Sequence, residues 1–87
     1  NESTFKKMAL ITYPRAPLKT LGIIVCDTPD LVSKNIEEPS VNVFVPTSPN
    51  PTTGFVIAVP IKDVDFLKMT VEEGLKMIIS FGVVAPK

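Results

Sequence analysis

The sequence contains no histidine and only one cysteine, Cys26. The missing imidazole excludes Ser-His-Asp and Cys-His mechanisms, and it removes both the usual general base near neutral pH and the commonest transition-metal ligand. A single cysteine forms neither an intrachain disulfide nor a cysteine-based zinc cluster. Cys26 ends an apolar run, so we interpret it as a buried, inert thiol. We therefore predict no catalytic residue, no metal ligand and no cofactor.

A charge excess and a long apolar run are also missing. Nine basic and nine acidic residues cancel, whereas nucleic-acid binding needs a basic surface that displaces counterions from phosphates. The basic residues near the first strands are Lys6, Lys7, Arg15 and Lys19. We interpret them as solvated side chains and expect no nucleic-acid partner. The longest apolar stretches fall short of the roughly 20 residues that a membrane-spanning helix needs.

The length of 87 residues supports one domain with one modest core. Hydrophobic residues make up 45% of the chain and charged residues 21%, which indicates a folded domain and not a disordered segment. Residues 1–87 are therefore expected to form a single soluble domain. The chain begins at Asn1 instead of methionine, which indicates a fragment or a processed product.

Four segments have the pattern of β-strands, and they span residues 6–13, 21–26, 41–45 and 55–59. In the first segment alternate residues define two faces, as in a strand. The second segment is almost wholly apolar, as in a central strand. Gly22 inside the second strand indicates a bulge or a close backbone approach. The polar stretch 27–40 predicts an exposed loop with at most one helical turn.

The clearest element is a helix over residues 71–80. Thr70 and Glu73 form a capping box before it, and apolar residues recur along one of its faces. Gly74 inside the helix costs about 1 kcal/mol relative to alanine, which indicates close packing. Gly82 is placed to end the helix in left-handed geometry.

These elements predict an α+β fold. The expected architecture is a four-stranded, mainly antiparallel sheet of two hairpins, with one C-terminal helix on one face. A small, partly open barrel is the alternative.

The connection between the third and fourth strands, residues 46–54, is long for a hairpin. Its candidate contact residues are Thr47, Ser48, Asn50, Thr52, Thr53 and Gly54. One interpretation is a rigid connection, because prolines fix φ while Asn and Thr side chains cap turns. A protein-docking surface and a cradle for an anion or carboxylate are the other two interpretations, and all three stay open.

Residues 43–55, read as VFVPTSPNPTTGF, resemble the signature of domain-of-unknown-function family 502. This family of two-span membrane proteins includes the plant LIKE COV (continuous vascular ring) proteins. Its members show a valine-phenylalanine-valine-proline strand end and then a threonine-threonine-proline-asparagine-proline-threonine-serine-glycine loop. Ser48 and Thr53 are conservative departures from that loop.

Three further segments resemble the same family, and together with the loop they extend the resemblance over about residues 5–86. They are 13–15, the strand start at 21–22, and the closing helix at 69–80. Within the last segment alanine is more usual than Gly74, and glycine is usual where Phe81 stands.

The resemblance implies that two membrane spans precede this region, so that the chain is the water-soluble part of an integral membrane protein. It implies no established enzymatic activity, and plant members are linked to vascular patterning. The leading hypothesis is therefore a non-catalytic structural or interaction domain, whose partner is a second copy or another membrane-associated protein.

Two other functions are kept as alternatives. The first is a module that senses a small ligand or an anion through the 46–54 loop. The second is a hydrolase or transferase that uses Lys62, Asp63 and Asp65.

The same segment could also suggest a divalent-cation site. Its two aspartates fall well short of the six to eight oxygens that calcium takes, so a solvated turn is the favoured interpretation of that segment.

Overall fold

Apolar and β-branched runs fold into five strands in the computed structural model, which describes residues 7–86. The strands are β1 (Met8–Thr12), β2 (Lys19–Asp27), β3 (Ser40–Pro46), β4 (Gly54–Pro60) and β5 (Val64–Phe66). The helices are α1 (Asp30–Ile36) and α2 (Val71–Ile79). Lys6, predicted to begin the first strand and to join the basic cluster, lies outside the described residues.

The predicted α+β class, the two hairpins and the antiparallel sheet are confirmed. β1 pairs with β2 and β3 pairs with β4, both antiparallel. The predicted numbers of four strands and one helix are wrong, because the sheet has five strands and the described residues include two helices. The additional strand β5 has only three residues and pairs antiparallel with β1.

The additional helix α1 occupies part of the predicted loop. It has seven residues, and Glu37 ends it in left-handed geometry with φ 63°. The backbone N–H of Glu37 donates to the carbonyl of Ser33. No residue of α1 is buried, so packing into the core does not hold this helix in place. Local hydrogen bonds and this cap form the helix.

The sheet has the order β4-β3-β2-β1-β5, so β4 and β5 form its two edges. A flat sheet of five strands would hold its edges about 19 Å apart. The chain from Pro60 to Val64 covers four residue steps, which span at most about 15 Å. The sheet must therefore curl, and the architecture lies close to the partly open barrel given as the alternative.

The main core lies on the concave face of this curled sheet. Its buried side chains come from all five strands: Ala9, Ile11, Ile24, Val41, Val43, Val45, Val59 and Val64. Tyr13, after β1, and Phe55, at the start of β4, pack their rings 5.6 Å apart on the same face. This contact joins β4 to the end of β1 across the opening of the sheet.

Two glycines permit the close contacts that the sequence predicts. A Cβ at Gly22 would overlap the Val43 side chain on the neighbouring strand, and a Cβ at Gly74 would lie 2.5 Å from the Met8 Sδ. Met8 is fully buried although it belongs to the opposite face from the core cluster. Helix α2 therefore covers the convex face above β1, where only a glycine lets it approach Met8.

The predicted capping box of α2 is confirmed. The Glu73 N–H donates to the Thr70 Oγ1 at 3.0 Å, and the Thr70 N–H donates to the Glu73 Oε1 at 2.9 Å. At the other end the left-handed position is Phe81, with φ 59°, followed by Gly82 with φ 86°. The Gly82 N–H donates to the Met77 carbonyl at 2.7 Å, which completes a Schellman motif one residue earlier than predicted.

Candidate functional site

The 46–54 loop is held at its base by the last pair of the β3–β4 ladder, Pro46 with Gly54. The Thr47 N–H donates to the Thr53 carbonyl at 2.9 Å and so continues the ladder by one bond. A Cβ at Gly54 would overlap the Val45 carbonyl oxygen, which explains why glycine ends the loop. The base of the loop is therefore an extension of the hairpin.

The Asn50 carbonyl is the centre of the loop's hydrogen bonds. The Thr47 Oγ1 lies 3.0 Å from this oxygen, and the Thr53 Oγ1 lies 3.1 Å from it. The Thr53 N–H also donates to it at 3.3 Å. The hydroxyls of Thr47 and Thr53 contact each other as well. The Asn50 carbonyl, in the middle of the loop, thus binds residues at both ends of the loop.

The Asn50 side chain forms a second, smaller turn. Its Oδ1 accepts from the Thr52 N–H at 3.2 Å and from the Thr52 hydroxyl. This is the Asx-type bond by which asparagine mimics a backbone turn. Four of the six predicted contact residues therefore bond to one another, and the loop orders itself without a ligand.

Ser48 has a different environment from those four. Together with Pro46 it lines a shallow pocket of about 330 Å³ between the loop, the start of β2 and the end of α2. The other lining residues are Lys19, Thr20, Leu21, Met77, Ile78, Phe81 and Gly82. Of the described residues that line this pocket, none is a carboxylate or a cysteine.

Lys19 supplies the positive charge at this pocket. Its Nζ lies 3.0 Å from the Thr12 Oγ1 on the neighbouring strand β1 and 3.5 Å from the Asp65 Oδ2 on β5, one strand further on. Lys19, Lys7 and Arg15 are exposed, as predicted for solvated basic side chains. Sequence reasoning did not place Lys19, Met77 or Phe81 beside Ser48, because only the tertiary packing of α2 brings these distant segments together.

Two residues of the alternative enzymatic hypothesis, Lys62 and Asp65, pair with other side chains. Lys62 pairs with Glu38 at 3.2 Å, whereas the Asp65 Oδ2 lies 3.5 Å from the Lys19 Nζ. Within residues 7–86 no three histidine, cysteine, aspartate or glutamate side chains lie close enough to hold a metal ion. Cys26 is half-buried and not fully buried as predicted, and the Asn42 Nδ2 lies 3.7 Å from its Sγ.

Several large apolar side chains of the described residues are exposed. One group belongs to the end of α2 and the segment after it: Ile79, Phe81, Val83 and Val84. A second group belongs to α1 and β4: Leu31, Val32, Phe55 and Val56. Within residues 7–86, no helix is both long enough and apolar enough to cross a membrane.

Fold and loop together define a small α+β domain with a curled antiparallel sheet and a self-ordered hairpin loop. Residues 1–53 match the family model described as Protein of unknown function (DUF502). Because the match covers 53 of the 87 residues, the chain belongs to this family. The matched segment contains β1, β2, α1, β3 and the loop as far as Thr53, and it ends before β4. Comparison with curated proteins and with solved structures finds no match.

Proposed function

We propose that this chain is a non-catalytic interaction domain of an integral membrane protein of the two-span type, to which the LIKE COV proteins belong. In this proposal the 46–54 loop contacts a second copy of the chain or another membrane-associated protein. The membrane part of the proposal rests on the resemblance of residues 43–55 to the loop signature of those proteins.

The internal order of the loop is the observation that carries the proposal. Thr47, Asn50, Thr52 and Thr53 are exposed, yet they bond to one another and hold the loop in one shape. A surface that is ordered before its partner arrives loses less conformational entropy on binding. A loop that served only as a connection could have two to five residues. The extra length therefore supports a contact role.

The anion-sensing alternative has weaker support. An anion cradle needs several donors that point to one place. The hydroxyls of Thr47, Thr52 and Thr53 instead lie within hydrogen-bond distance of acceptors inside the loop. Ser48 and Lys19 line a common pocket, but the Lys19 Nζ faces Thr12 and Asp65.

The test replaces Thr47, Ser48, Asn50 and Thr52 together with alanine. The core should remain folded, because the buried side chains come from the strands and from α2. Cross-linking of the full-length parent in membranes should show weaker self-association or partner capture. The matched control replaces Ser33, Lys34 and Asn35 of α1 with alanine, and it should leave cross-linking unchanged.

Two results would contradict this proposal. If thermal unfolding shows that the quadruple variant no longer folds, the loop is a structural connection. If the variant folds and cross-links as strongly as the unmutated full-length protein, the loop is not a contact surface.

A further inference from the structure

β4 is an edge strand with one unpaired side. Its seven residues pair with β3 along their whole length, from Ser40 with Pro60 to Pro46 with Gly54. Within residues 7–86 no strand pairs with its other side. An edge of this kind presents a row of backbone N–H and C=O groups that are ready to pair with another strand.

The two edges of the sheet differ in their protection. β5 has three residues, and its Asp65 faces the ammonium group of Lys19 at 3.5 Å. A short strand with a charged side chain is a common way to block edge pairing. β4 has neither feature, since its sequence GFVIAVP contains no charged residue and its register with β3 has no bulge.

The side chains at the start of β4 are also accessible. Val56 is 59% exposed and Phe55 is 43% exposed, and both lie near the start of the strand. Helix α1 leads into Ser40, the partner of Pro60, and so lies at the far end of β4. The helix contacts β4, but Phe55 and Val56 near the start of the strand stay exposed.

We propose that β4 pairs antiparallel with β4 of a second copy of this chain. A two-fold axis at Ile57 would place Val56 opposite Ala58 and Phe55 opposite Val59 of the second copy. Residues 56 and 58 share one face of the strand, and residues 55, 57 and 59 share the other. The two sheets would therefore continue each other with apolar side chains on both faces and no unpaired charge.

The self-complementary pattern favours a second copy over an unrelated partner. In a two-fold interface each residue pair occurs twice, so the same patch must fit itself. A strand with lysine or glutamate on its edge would not fit itself in this way, whereas an uncharged strand does. The interface is small, so we expect weak and concentration-dependent association.

This inference goes beyond the proposed function because it uses the free edge of β4 and not the 46–54 loop. The alanine substitutions in the loop leave the β4 sequence unchanged. If only the loop variants weaken contacts, the edge-pairing proposal fails and the loop proposal stands. If only β4 variants weaken them, the reverse holds.

The experiment measures self-association of the whole chain by analytical ultracentrifugation up to about 1 mM, the range of weak complexes. We expect a reversible dimer. Val56→Lys should raise the dissociation constant by about tenfold or more, since two lysines would lose solvent at one interface. The matched control is Val83→Lys, because Val83 is 85% exposed and lies outside the sheet.

A charge-reversal pair makes the test specific. Long side chains at diagonal positions of neighbouring strands reach each other, so a 1:1 mixture of Val56→Lys and Val56→Glu chains should associate again. Circular dichroism should show the same unfolding midpoint for each variant as for the parent. A parent that stays monomeric throughout, an equal effect of Val83→Lys, or no association in the mixture would each overturn the proposal.

Discussion

Phe81 occupies a backbone conformation that disfavours its own side chain. Its φ of 59° lies in the left-handed region, where the Cβ of an L-residue crowds the following carbonyl. The residue is 70% exposed, so little burial offsets this strain. The proteins that the chain resembles usually have glycine here, which fits a position that needs left-handed geometry.

Replacement of Phe81 with glycine should stabilise the domain by about 1 kcal/mol, because the left-handed penalty disappears while little contact area is lost. Chemical denaturation of both proteins measures the difference. Val83→Gly is the control, and it should give no gain, because no positive φ occurs at Val83. A lower midpoint for Phe81→Gly would show that the aromatic ring contributes more packing than its exposure indicates.

The sequence identified individual glycines well and the helix end less well. Gly22 and Gly74 each weaken the element that contains them, so the sequence predicts a close contact at each position. Both contacts are present in the structure. Gly82 does have a positive φ of 86°, but the left-handed position begins one residue earlier, at Phe81. Glycine preference alone does not fix a helix end to one residue, because the Schellman hydrogen bonds decide it.

Helix α2 depends on the reciprocal bonds between Thr70 and Glu73. Thr70→Ala should destabilise the domain by about 0.5–2 kcal/mol, since the Glu73 N–H would lose its acceptor. Urea denaturation followed by circular dichroism measures this loss. The control Glu73→Gln keeps a side-chain oxygen for the Thr70 N–H and should change stability less. Equal midpoints for Thr70→Ala and the parent would mean that the cap contributes nothing.

The elements that sequence reasoning found are those with strong local signals. β1 to β4 have alternating or continuous apolar runs, and α2 has both a cap and an apolar face. α1 has no side-chain cap bond at Pro29, and none of its residues is buried. β5 is three residues long with Asp65 at its centre, and its pairing with β1 defines it as a strand. No local pattern records such a long-range pairing.

The candidate loop shows the same division between local and tertiary information. Its turn chemistry was predictable, because asparagine and threonine between prolines form side-chain turns. The hydrogen bonds around Asn50 agree with that interpretation. The pocket beside Ser48 was not predictable, since it needs Phe81, which follows α2 and lies more than 30 residues further along the chain.

At the scale of the whole molecule, the curl of the sheet brings the start of β4 to the end of β1. The contact between Tyr13 and Phe55 is the aromatic part of this closure. A double-mutant cycle with Tyr13→Leu and Phe55→Leu should give a coupling energy of about 0.5–1.5 kcal/mol, the range of aromatic pairs. The control cycle combines Tyr13→Leu with a replacement of Leu10, which lies on the opposite face of the sheet from Tyr13. The coupling energy of this control pair should be near zero. Equal couplings would show that the ring contact does not help to close the sheet.

The unequal edges of this sheet also limit how large an assembly can become. A sheet with two open edges can add copies without end, and it then grows into fibres. Here β5 is short and charged, so each copy offers one side for growth and uses it when the first partner binds. Association through β4 would therefore terminate at a pair, because only the short and charged β5 edges would be left to meet a third chain.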